Sequence, residues 1–276
     1  MEKKSKTIAI FSQKGGVGKT TTAVNLGAAF ALEGKKVLVV DADPQGSATA
    51  ALGYRSENDL KVSLSTLMER EINGERIDAE SAILRNREGI DLIPSNIELA
   101  GIEIRLLSVM SRETVLKECL AEIKGKYDYV LIDCMPSLSM IPINALAAAD
   151  SVLIPVQPQY LSVKGMDQLL STIAKIKRQI NPEITIEGIV LTITDMRTNL
   201  ARAVKDAVVR QYSDKIHVFD SEIPKATGAA EASAVGVSIF KHDAQNKAAE
   251  AYYELAKEVI GRGERVLFRY PDERIR

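Results

Sequence analysis

FSQKGGVGKTTTAVNLG, residues Phe11 to Gly27, is the stretch that decides how this 276-residue chain is read. It leaves a short apolar run, TIAIF (Thr7 to Phe11), crosses three glycines and enters a helical pattern from Thr20 to Glu33. Glycines let backbone N–H groups approach an anion, and a helix starting just behind them points the positive end of its dipole at the same place. Gly15, Gly16, Val17, Gly18, Lys19, Thr20 and Thr21 therefore form a loop suited to the phosphates of a nucleotide. Lys19 is placed to reach the β- and γ-phosphates, and the Thr20 hydroxyl to bind Mg²⁺. The common form of this loop has a glycine five residues before Gly18; here Gln13 stands there, followed by Lys14. A GxGxxG reading fails, and the loop is a variant P-loop. One nucleotide accounts for Lys19 but not for Lys14.

Two further apolar runs end in carboxylates. KVLVVDAD (Lys36 to Asp43) delivers Asp41 and Asp43, and YDYVLID (Tyr127 to Asp133) delivers Asp133. Acidic residues after such strands hold Mg²⁺ or orient a water in phosphoryl transfer. From the residues alone, a turn carboxylate or a helix cap is the alternative for each. Later runs of the same kind are Ser151 to Val156, Thr185 to Thr194 and Lys215 to Phe219, with helical periodicity at Ser162 to Ile180 and Leu200 to Gln211. Alternating strands and helices predict an α/β fold: a three-layer P-loop NTPase with a mostly parallel twisted sheet flanked by helices. Ligands then lie at the carboxyl ends of the strands. A single domain is expected over 1–260, with a basic tail at 261–276 after a helix ending near Ile260. Residues Gly53 to Arg112 are the least legible, with a short strand candidate at Ile90 to Pro94.

The 36 basic and 37 acidic residues nearly cancel, so a nucleic-acid contact has to come from a local patch. No apolar run approaches the ~20 residues of a membrane span, and the lysine-containing start reads as no signal peptide, so a cytoplasmic protein is expected. Cys119 and Cys134 have no CxxC partner and read as reduced, buried thiols.

KGGVGKTTTAVNLG, DADPQGS, LIDCMPS, INALAAADSVLIPVQPQY and TDMRTNL together resemble the ParA/Soj partition ATPases, in the deviant Walker A group that also contains MinD. The resemblance runs from about Lys6 to Ile260. It implies an Mg²⁺-dependent ATPase that forms a homodimer with ATP sandwiched between subunits, Lys14 of one subunit reaching the nucleotide of the other. It also implies that Asp43 positions or activates water, that Asp41, Thr20 and Asp133 serve the Mg²⁺ site, and that Pro224, before Lys225, packs on the adenine. Nonspecific double-stranded DNA, a ParB-type DNA-binding partner and a nucleoid-associated location follow from the same resemblance. Arg197 falls where Soj-type proteins place a DNA-contacting cation. Between Arg197 and Lys215 five basic residues, Arg202 among them, stand against two acidic ones, which a solvated helix face explains about as well. Lys225 and Lys247 are further DNA candidates, but Ala244 and Gln245 replace the family's proline and first lysine, and Gly228 or Ala229 replaces a basic residue.

A MinD-like membrane ATPase shares every nucleotide motif and would need an amphipathic C-terminal helix; the end of this chain offers only VLF between arginines, followed by Pro271. An iron–sulfur protein would need closely placed thiolates, and Cys134 lies inside the acidic motif instead. An ATPase that positions a protein cargo is the third alternative. No helix-turn-helix is expected ahead of Lys6, which argues against sequence-specific operator binding.

Overall fold

A computed structural model describes residues 5–55, 60–76, 78–195 and 197–268. Among these, eight strands form one sheet: β1 (Lys6–Ile10), β2 (Val37–Ala42), β3 (Leu84–Arg85), β4 (Ile90–Ile93), β5 (Tyr129–Cys134), β6 (Ser151–Val156), β7 (Thr185–Thr194) and β8 (Val218–Pro224). Their spatial order is β3-β4-β2-β5-β1-β6-β7-β8. Every neighbouring pair is parallel except β3 with β4. β1 lies in the middle and the chain crosses to both sides of it, so the crevice beside its carboxyl end is where such a sheet receives a ligand.

The helices are α1 (Lys19–Leu32), α2 (Ser47–Ala51), α3 (Leu64–Ile72), α4 (Leu99–Leu106), α5 (Val115–Ala121), α6 (Met140–Ala148), α7 (Tyr160–Gln179), α8 (Asn199–Tyr212), α9 (Thr227–Val235), α10 (Ile239–His242) and α11 (Lys247–Phe268). They form two layers because successive strand side chains point to opposite faces. Ile8, Ile10, Val37, Val39 and Leu131 face one core, closed by α1, α2, α9, α10 and α11. Ala9, Leu38, Val40, Val130 and Ile132 face the other, closed by α3 to α8. Burial on both faces explains why the central strands read as unbroken apolar runs.

Two expectations change. The last strand is Val218–Pro224 rather than Lys215 to Phe219. The N–H groups of Lys215 and Ile216 are taken by the Tyr212 carbonyl at 3.0 and 2.8 Å, which closes α8 with a turn. β8 is an edge strand whose polar segment is held by Glu258 of α11, which accepts from Asp220 N and Ser221 N at 3.1 and 2.8 Å. Secondly, α11 does not end near Ile260 but runs to Phe268, so the expected tail is helical over its first half. Its remainder, 269–276, lies outside the described residues. The least legible region, Gly53 to Arg112, supplies α3, α4 and the short antiparallel β3 as well as the expected β4. Cys119 and Cys134 are buried and free, as expected, and burial pushes the Cys119 thiol up to about 12. Among the described residues no helix is long and apolar enough to cross a membrane.

Candidate functional site

The register of the sheet assembles the site. Ile10 of β1 and Asp41 of β2 both stand level with Asp133 of β5, so three neighbouring strands end together where the glycine loop begins. Gly16 and Gly18 adopt φ of 71° and 82°, a left-handed conformation that costs an L side chain about 1–2 kcal/mol. Gly18 is the N-cap of α1, which has neither a capping side chain nor an acidic residue in its first turn. The N–H groups of that turn and the positive helix end are thus open to an anion.

The two lysines of the loop diverge. Lys19 is buried, and its ammonium donates to the Lys14 carbonyl at 3.2 Å, folding the side chain back over the loop. Burial pushes its pKa down; the charge of Asp133 opposes this most strongly. Lys14 points away, its ammonium donating to Gln159 Oε1 at 2.7 Å, at the head of α7. Gln159 lies in the quoted run VQPQY, yet nothing in its spacing marked it as a partner of Lys14.

The carboxylates also differ. Asp41 Oδ2 accepts from the Thr49 backbone N–H and hydroxyl at 2.8 and 2.7 Å, and Oδ1 accepts from the Asp43 N–H at 3.2 Å. It fastens α2 beneath the site. Asp43 is half-buried and its Oδ1 accepts from the Gln45 N–H at 2.9 Å, so the Asx-turn anticipated as an alternative is present. Asp133 is fully buried, and neither of its oxygens makes a hydrogen bond of good geometry. Burial, with the charge of Asp41, pushes its pKa up to about 8, while the nearby Thr20 hydroxyl and Lys19 pull it back.

A buried carboxylate lacking donors has a desolvation cost that a cation would relieve. Asp133 and Thr20 therefore fit Mg²⁺. Mg²⁺ asks for little more from the protein, since it keeps waters and takes phosphate oxygens alongside one or two carboxylates. The open glycine turn and the uncapped α1 fit the phosphates in the same way.

β7 supports the loop from the other side. The Thr192 hydroxyl donates to the Val17 carbonyl at 2.7 Å in a buried contact. The next residue, Ile193, has φ of 53°, left-handed although its side chain is β-branched. That conformation is an outlier for such a residue and stores about 1–2 kcal/mol. The β7–β8 register slips between Thr192 and Thr194, the mark of a bulge centred on Ile193. Pro224 ends β8 opposite Thr194, on the same sheet edge as the loop. Neither Thr192 nor Ile193 carried a signal in the sequence, since a bulge depends on the partner strand.

The AAA domain family matches residues 5–186. The chain is 45% identical over 258 residues to the sporulation initiation inhibitor protein Soj of Bacillus subtilis, covering 94% of this chain and 99% of that protein. It belongs to the Soj and ParA family of P-loop ATPases. The chromosome partitioning protein ParA of Caulobacter vibrioides is 39% identical, with 93% of this chain and 94% of that one aligned. Among solved structures, cobyrinic acid a,c-diamide synthase from Mycobacterium smegmatis with a bound ATP analogue and magnesium superposes with a TM-score of 0.81 at 35% identity, covering 95% and 96% of the two chains.

The surface expected to carry DNA in a Soj-type ATPase is less free than its charge count implies. Arg197 is exposed but bound bidentately to Asp195 at 2.8 and 3.0 Å. Arg202 donates to Asn199 at 2.7 Å, and Lys205 pairs with Glu222. Lys225 is exposed and lies beside this turn: its N–H donates to the Thr194 carbonyl at 3.0 Å, and its charge helps to lower the Asp195 pKa, after Arg197. Lys247, also exposed, starts α11. A Cβ on Gly228, one of the two positions at which a basic residue is replaced, would stand 2.8 Å from the Asn246 amide.

Proposed function

We propose that the chain is an ATP-switched partition ATPase: an ATP-bound sandwich dimer that holds nonspecific DNA and lets go after hydrolysis, with a ParB-type protein stimulating turnover. The observation that carries this reading is the divergence of Lys14 and Lys19. Lys19 lies over its own phosphate loop, whereas Lys14 leaves it, as a cation serving a partner's nucleotide must. Similarity to Soj and ParA along nearly the whole chain supports the same reading.

Bound MgATP would supply a γ-phosphoryl group and a cation that neutralises its oxygens. The chain's own groups do the remaining work. The N–H groups of Gly15 to Thr21 and the α1 dipole hold the phosphates, with Lys19 over them. Thr20 and Asp133 would hold the metal, supported by Asp41, which also fixes α2 and the turn that presents Asp43. Asp43, half-buried at the sheet edge, orients the attacking water. Lys14 of the partner subunit adds positive charge where the transition state spreads negative charge, as an arginine finger does. Pro224 stacks at the base. Arg197, Arg202, Lys225 and Lys247 contact phosphates of DNA, contacts that position without reading sequence.

Retention on nonspecific duplex DNA with ATP, ADP and no nucleotide, at two salt concentrations, tests this reading. ATP-dependent retention that weakens with salt is expected. Because α11 carries the VLF segment in a helix, vesicle sedimentation with ATP belongs in the same experiment. Vesicle binding without DNA retention would replace the partition reading with a membrane one.

A further inference from the structure

We propose that Ile193 is the joint through which the phosphate loop acts on the turn closed by Asp195 and Thr198, which carries Arg197, an inference resting on the nucleotide-switch reading above. The segment touches both places. On one side the Thr192 hydroxyl holds the Val17 carbonyl, and an atom built on Gly18 in the Cβ position would lie 3.9 Å from Ile193 Cδ1. On the other, the Thr194 carbonyl accepts from Lys225 N at 3.0 Å, and the Asp195 carbonyl accepts from Thr198 N at 3.1 Å, so Thr194 and Asp195 carry Lys225 and Arg197.

Coupling between sites needs an element with two discrete arrangements. The bulge at Ile193 is one. In the arrangement seen, Ile193 is left-handed and the β7–β8 ladder slips around it. In the other it is extended, as a β-branched residue prefers, and the ladder runs on without the extra residue. The left-handed form is disfavoured by the residue itself, so its surroundings sustain it. Those surroundings include Val17 and Gly18, where phosphates enter. Occupying the loop changes what holds Ile193 in place, and a flip there re-aims Thr194, Asp195 and the cations behind them.

Ile193→Gly tests the joint, because glycine takes either conformation at little cost. Hydrogen exchange at the amides of Thr198 and Lys225 is measured with and without saturating MgATP, alongside ATP affinity. In the native protein MgATP is expected to change exchange at both amides by about fivefold or more. In Ile193→Gly that change collapses while ATP affinity stays within about threefold, a shift below the range of ordinary allosteric coupling. Ile193→Asn, which also accepts the left-handed form, should behave as the glycine variant does and guards against a misfolded glycine protein. An unchanged response in both variants, or no response in the native protein, would overturn the joint. This readout needs no DNA. Loss of DNA retention with an intact exchange response would therefore sink the partition reading and leave the joint standing.

Discussion

Asp41 and Asp133 stand level on the adjacent parallel strands β2 and β5, both fully buried, and share their donors unequally. Asp41 receives two bonds from Thr49 and one from Asp43, whereas Asp133 receives none of good geometry. Two carboxylates in one buried place cannot both ionise cheaply. Asp41, with its donors, keeps the charge more readily, and Asp133 keeps the proton; burial raises them to about 6 and about 8 respectively.

That asymmetry contributes a pH dependence of its own to the metal-free protein. A carboxyl whose folded pKa is raised binds more protons folded than unfolded between its unfolded value and its folded one. The pair's contribution to stability is therefore full below about pH 4, where unfolded carboxyls also protonate, and is lost as pH rises through the raised folded values. Urea melts of the metal-free protein at pH 5 and pH 8 should show this loss, and Asp133→Asn should flatten it. A flat native profile would show that Asp133 is already ionised.

Lys14→Ala should bind ATP with near-native affinity and lose turnover by about 10²-fold or more, the scale of removing one transition-state charge partner. It should also fail to dimerise with ATP in sedimentation. Unchanged turnover would make Lys14 a surface cation with no part in the chemistry.

At Asp43 the turn and the chemistry have to be separated. Asp43→Asn keeps an oxygen for the Gln45 N–H and removes the charge. It should fold with near-native stability and accumulate as an ATP-bound dimer with little hydrolysis. Native turnover in this variant would confine Asp43 to its turn.

Arg197 is held by Asp195, so removing that charge should strengthen rather than weaken nucleic-acid binding. Asp195→Asn is expected to raise ATP-dependent DNA retention, and Arg197→Glu to lower it and reduce the salt slope by about 1. Filter binding across a salt series measures both. Lower retention in Asp195→Asn, higher retention in Arg197→Glu, or no change in either variant, would move the DNA surface elsewhere.

Gly236 and Gly53 meet where α9 approaches the end of α2. A Cβ on Gly236, which has φ of 77°, would stand 2.5 Å from the Gly53 Cα. Gly236→Ala should therefore destabilise the protein by roughly 2–3 kcal/mol, from clash and left-handed strain together. Thermal melts check this, and an unshifted melting temperature would mean that the two backbones separate freely.

The sequence by itself determined the parts set by local chemistry. A strand buried on both faces is a continuous apolar run, and an anion-binding turn needs its glycines; both are visible without neighbours, so β1, β2, β5, β6 and β7 and the residues of the phosphate loop were legible. Asp41, Asp43 and Asp133 were legible as a set because all three sit at strand ends, where the chain must turn. The tertiary structure alone decided how they differ. Thr49, only eight residues on, settles on Asp41 and leaves Asp133 bare because the turn after β2 folds α2 back under the strand, a geometry that periodicity does not show. In the same way β8 was displaced because an edge strand can satisfy its polar N–H groups through Glu258, some forty residues away. The strained bulge at Ile193 and the meeting of Gly53 with Gly236 belong to the same class. Each depends on which surfaces come together, and burial, strain and pairing are properties of those surfaces rather than of the residues alone.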